Sequence, residues 1–144
     1  MVRSVLAVLA GIVVLTLTSF AIEWLTNPLM MRMLDLPSEA ALNRSAPAKL
    51  IMAVYTMFCV AAGGYVTASL APGPGERHAV VMGAIQVGLG AAAMGQFFDH
   101  APLWYWIASL ALLIPVAWCG GMIAAKRKGE HAPAKNVLAD VPSD

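Results

Sequence analysis

Charge is scarce in this chain. Acidic and basic residues together make up 12% of its 144 residues and the formal net charge is +1. That leaves no basic field of the kind that binding a phosphate backbone requires, so nucleic acid is excluded as a partner. Cysteine is nearly absent as well. Cys59 and Cys119 stand in different apolar segments, and neither belongs to a CxxC or Cys/His spacing. No disulfide framework, zinc site or thiol redox motif follows from them, and each reads as a small buried hydrophobe. The sequence also lacks HExxH, GxSxG and a phosphate loop, and its three histidines, His78, His100 and His131, are far apart. Lipid-modifying and haem-binding helices need clustered histidines. The expectation is a protein that is not an enzyme, with no catalytic residues, metal site or cofactor.

Apolar sequence is what remains. Hydrophobic residues account for 60% of the chain and the mean hydropathy is +0.74, more than one soluble core of this size uses. Four runs, at about residues 4–25, 49–71, 78–98 and 103–125, each approach the ~20 residues that cross a ~30 Å hydrocarbon core as helix. The predicted fold is all-α, a four-transmembrane-helix bundle covering residues 1–125, with 126–144 a disordered cytoplasmic tail. The lipid bilayer is then the main partner. Arg3 ahead of an apolar run and the small-x-small sequence Ser19-Phe20-Ala21 resemble a secretory signal. The apolar stretch continues through Ile22, Trp24 and Leu25, past the usual length of a signal core, and is read as a retained span.

Lys and Arg set the orientation. With both termini inside, Arg3, Arg77, Lys126, Arg127, Lys128 and Lys135 are cytoplasmic, and Arg32, Arg44 and Lys49 are outside; the excess inside predicts N-in/C-in. Trp24 and the trio Trp104-Tyr105-Trp106 then fall at the outer interface, where amphipathic rings are favoured. The long first outer loop begins with apolar residues, and Pro28 and Pro37 delimit a short interfacial helix in it, followed by a more polar piece from Ser38 to Pro47. Its methionines suit either a cap over the bundle or a docking surface.

Small residues predict the packing, because in lipid close backbone approach drives helix association. In the third span Ala84, Gly88, Ala91 and Gly95 recur on one face, and Gly83, Gly90 and Ala93 with Gln86 form another. A helix small on two sides is expected to be the most enclosed. In the second span Gly63 and Gly64 join a stripe of Thr56, Cys59 and Thr67. Such faces serve either internal seams or a homo-oligomer interface.

Polar residues inside the spans are the candidate site. Glu23 lies about 12 Å beyond the centre of the first run, at ~1.5 Å per residue, and shares a helical face with Ser19 and Thr16. His100, Lys49 and Arg32 match it in depth. It is either a structural ion pair holding the first loop or a carboxylate that binds a proton or cation. Gln86, near the middle of the third span, is expected to bond Thr56, Tyr55 or Ser109 across helices, and Pro115 to free the Ala111 carbonyl and kink the fourth span.

The intramembrane glutamate followed by Trp24, the proline-broken outer loop, the stretch Ala61-Ala62-Gly63-Gly64-Tyr65-Val66-Thr67-Ala68 and the segments His100 to Trp106 and Leu113 to Gly121 together resemble a group of small bacterial four-span membrane proteins of unknown function. The resemblance covers about residues 5–125. It implies a bacterial inner-membrane location and the four-span architecture, and carries no activity. Two functions fit the residues: a structural or accessory subunit of itself or of a larger membrane complex, and an oligomeric small transporter or channel protomer using Glu23 and Gln86.

Overall fold

In the computed structural model, which describes residues 2–97 and 102–130, the chain forms five helices: α1 (Val2–Met33), α2 (Glu39–Arg44), α3 (Ala46–Leu70), α4 (Gly75–Phe97) and α5 (Leu103–Glu130). Among the described residues all regular structure is helical, and α1, α3, α4 and α5 are each long and apolar enough to cross a membrane. They alternate in direction. One end of the bundle carries α2 and is called the cap end; the other carries the α3–α4 turn and the last turn of α5. His100 and residues 131–144 of the expected tail lie outside the described residues.

The helices outrun the apolar runs that nucleate them. The 32 residues of α1 reach about 48 Å at ~1.5 Å per residue, longer than a hydrocarbon core of ~30 Å, so α1 either tilts or extends beyond it. Pro28 does not open a new helix as its ring geometry suggested; it lies inside α1, which continues to Met33. A proline there removes only one bond, to the Trp24 carbonyl. The helix stops instead at Asp35, which takes a left-handed conformation at φ 50°, while the Leu36 amide donates back to the Met31 carbonyl at 2.9 Å. This is a Schellman-type end with aspartate where glycine is usual. The polar second piece of the loop is helical: the Ser38 hydroxyl caps α2 by accepting from the Ala41 amide at 3.2 Å. Leu42, Met30, Ala48 and Met52 are buried together, with Met31, Leu34 and Leu36 against them. The first loop is therefore a packed cap with its own small core.

The hub of the bundle is α3, which packs along α1, α4 and α5, whereas α1 meets α4 only lightly. Its apolar stretch is 33% buried, against 17% in α1 and in α4. The expectation that the third span is most enclosed is thus wrong; the second span is. Gly63 and Gly64 explain it, because they face two different neighbours. A side chain on Gly63 would strike the Gly11 carbonyl of α1, and one on Gly64 the backbone of Ala117 in α5. Gly120 of α5 is pressed in turn against the backbone of Ala61, and the buried Thr67 hydroxyl occupies the space beside Gly11. Between these seams Val8, Leu15, Cys59, Val60, Met82 and Ala117 form the main core.

Among the described residues only one of the two small faces of α4 is used. Gly83 and Gly90 abut Ala117, Ile114 and Leu110 of α5. Ala84, Gly88, Ala91 and Gly95 are exposed, and nothing lies within 4 Å of where Gly88 or Gly95 would carry a Cβ. They make no internal seam, because α4 already meets α5 and α3 through its opposite side.

The turn end is closed by tight geometry and by charge. Gly73 adopts a φ of +86°, and Gly75 sits against Ala68 where a side chain would strike its carbonyl. The Lys128 ammonium donates to the Ala68 and Ala71 carbonyls at 2.9 and 3.2 Å, satisfying the otherwise open C-terminus of α3. Arg127 stands 6.0 Å from the centre of the Tyr65 ring. Residues 126–130, expected to begin a disordered tail, instead continue α5 to Glu130, and its last turn clasps the end of α3.

Glycine positions separate the used faces from the unused one. Gly64→Leu should abolish the folded monomer in detergent, whereas Gly88→Leu should leave its thermal transition within a few degrees of the parent. Similar losses at both positions would refute the seam assignment.

Candidate functional site

The polar residues collect at the cap end. Lys49 stands in the first turn of α3, placed there by Ser45 and Pro47 at the helix start, and only 7% of it is exposed. Burial of an ammonium is costly unless it is paired. Its Nζ donates to Asn43 Oδ1 at 3.2 Å and lies 5.0 Å over the centre of the Tyr105 ring, a cation–π arrangement typically worth ~0.5–2 kcal/mol. The charge of Glu23, half-buried on α1, acts over distance on Lys49, Tyr55 and Tyr105. Lys49 therefore joins the cap, α3 and α5, and the field of Glu23 reaches it from α1.

Glu23 also looks outward. It lines a groove of about 780 Å³ with Phe20, Trp24, Asn27, Arg32 and Glu39. Asn27 lies one turn beyond Glu23 on α1, and its Oδ1 is buried with no hydrogen-bond partner among the described residues. Arg32 brings a cation to the same groove, so Glu23 stands between two basic groups.

The other expected site residues do not join this cluster. Thr16 is exposed and Ser19 half-buried on α1, below Glu23. Gln86 is half-buried on α4; it makes no hydrogen bond to Thr56, Tyr55 or Ser109 among the described residues, and it does not line the Glu23 groove. His100 lies outside the described residues. Among the described residues no group of His, Cys, Asp and Glu is disposed to hold a metal ion. Sequence reasoning missed Asn43 and Asn27. It gave Tyr105 to the interfacial belt and Tyr55 to Gln86, because which face of α3 or α5 turns inward is decided by the glycine seams far below.

Compared with protein-family models, curated proteins and solved structures, the chain matches none of them.

A double-mutant cycle measures whether the cluster acts as a unit. Lys49→Met should cost about 2 kcal/mol, since it strands a partly buried carboxylate, and markedly less in a Glu23→Gln background. A coupling of ~0.5–3 kcal/mol is the range for groups in contact; additive losses in detergent unfolding would show the two charges to be independent.

Proposed function

We propose that this is a multi-pass protein of a bacterial inner membrane, with both termini cytoplasmic, that works as a non-enzymatic structural or accessory subunit. The orientation is supported by the distribution of cations at the two ends. Arg3, Arg77, Lys126, Arg127 and Lys128 gather at the turn end, while of the three at the cap end Lys49 is buried in the fold. On this orientation the cap faces the periplasm and α2 lies at the membrane surface, the place expected for an interfacial helix.

The observation that carries the accessory role is how the bundle spends its polar and small residues. Its half-buried carboxylate lies within electrostatic reach of Lys49 and Tyr55, and its interior is closed by glycine and alanine in backbone contact. Neither arrangement leaves a polar path from one end to the other. The face of Ala84, Gly88, Ala91 and Gly95 is small, outward and unused within the chain, which suits close approach by a helix of another subunit or a second copy.

The transporter reading keeps one observation in its favour, the groove that Glu23 lines with the unpartnered Asn27 oxygen. It loses the other half of its proposed path, since Gln86 stands apart from that groove.

Reporter fusions at the two termini should both read cytoplasmic, and mild-detergent purification should retain a partner or a second copy that Gly88→Leu releases while the monomer stays folded. A proteoliposome flux abolished by Glu23→Gln with no loss of assembly would replace this reading with transport.

A further inference from the structure

Where α1 and α4 meet only lightly, at the turn end, they leave a groove of about 450 Å³. Val8 and Ile12 lie along α1 in its depth, and Val5, Leu9, Val81 and Ile85 form its walls. Val8 is 8% exposed, while Val5, Leu9 and Val81 are each more than half exposed, so the groove opens sideways to whatever surrounds the bundle. Ser4 and His78 line its mouth, and the His78 ring is held there by donating from Nδ1 to the Pro74 carbonyl at 3.2 Å.

We propose that this groove seats one acyl chain of an anionic phospholipid, whose headgroup phosphate is held at the mouth by Arg77, Arg3 and Ser4. The inference rests on the proposed orientation, which sets the mouth at the cytoplasmic leaflet; it is independent of what the protein assembles with.

Three features select this occupant. The first is length: from Ser4 to Ile12 the groove extends about 12 Å at ~1.5 Å per residue, which fits within one leaflet of a ~30 Å core. Its mouth is then at headgroup level. The second is charge. Arg77 stands one turn before Val81 and Arg3 precedes Ser4; both are exposed and flank the lining residues at the mouth. Glu76 of the same turn lies on the α5 side, where Gly121 packs against its Cα, so the charges that flank the mouth are cationic. Basic residues between spanning helices at a cytoplasmic surface are suited to anionic headgroups. The third is shape. Branched walls of Val, Leu and Ile hold a second helix at a distance, whereas a flexible chain can lie between them; a helix is better received by the small face of α4.

The test uses the full-length protein reconstituted in vesicles of equal parts phosphatidylcholine and phosphatidylglycerol, extracted in mild detergent, with the retained lipid quantified by mass spectrometry. About one phosphatidylglycerol per chain should remain, enriched at least five-fold over phosphatidylcholine, since one arginine near the surface contributes ~1 kcal/mol. Arg77→Gln should lower that enrichment about five-fold while a lipid is still retained. Val81→Trp, at an exposed wall position, should empty the groove with the thermal transition preserved, and Leu9→Trp provides the same obstruction from α1 should the first variant fail to fold. Retention of the two lipids in bulk proportion, or undiminished retention in the tryptophan variants, would overturn the proposal. So would disulfide capture between Leu9→Cys chains at high yield, which would assign the groove to a second copy.

Discussion

In hydrocarbon a helix gains nothing by exchanging lipid methylenes for leucine methylenes, so a bundle of apolar helices coheres only where backbones come close. Here that constraint is met at α3. Gly63 and Gly64 are adjacent in sequence and therefore about 100° apart around the helix axis. One admits α1 and the other α5. Every other contact in the bundle inherits its position from these two approaches. The Thr67 hydroxyl settles beside Gly11, Ala61 beside Gly120, and the core of Val8, Leu15, Val60 and Met82 fills the space that the seams enclose. The arrangement also explains why α1 and α4 scarcely touch: each is held by α3 or α5, and nothing draws them together.

The same seams fix the polar end at long range. Once α3 and α5 cross at Gly64 and Ala117, their first turns bring Lys49 beneath the Tyr105 ring, and α1, aligned by Gly11, brings Glu23 within reach of both. The charged groups sit where α1 emerges from its apolar stretch and where hydration is nearest, so their desolvation cost is smaller than at mid-depth. Lys49 also closes the cap, through Asn43 just before α3, and the buried methionines around Leu42 complete it. At the opposite end Lys128 closes α3 through two carbonyls. A lysine therefore ties each end of the hub helix, one to a side chain of the preceding segment and one to the helix's own terminal carbonyls.

Much of this was legible in the sequence, and the part that was not has a definite physical cause. Four long apolar helices follow from hydropathy alone, since no other secondary structure satisfies its backbone within a single segment in lipid. Lys49 was identifiable by depth as a neighbour of Glu23; its hydrogen bond goes to Asn43, and Glu23 acts on it only over distance. Helix ends were less legible: Pro28 reads as a boundary, yet a proline interrupts a helix only if the chain has somewhere better to go, and the actual stop is aspartate in a left-handed conformation at position 35. The rank of the helices was misread because two small stripes on α4 look alike in sequence. Gly83 and Gly90 face α5, while Gly88 and Gly95 face away. A glycine signals that close approach is possible, not from which molecule it comes.

That difference separates two kinds of outward surface on α4. Toward α1 its residues are Val81 and Ile85, branched and held apart from their neighbour; on the side bearing Gly88 and Gly95 there is almost no side chain at all. The branched surface leaves voids that a mobile chain fills at low cost, since a lipid tail keeps much of its conformational freedom when it lies along a groove. The small surface gives little dispersion energy to such a chain but a large gain to a rigid helix, which can bring a whole backbone into contact. On the proposed roles, two neighbouring strips of one helix receive different occupants, lipid on the branched strip and protein on the small one, and the distinction lies in side-chain volume, because neither strip carries a charge at that depth.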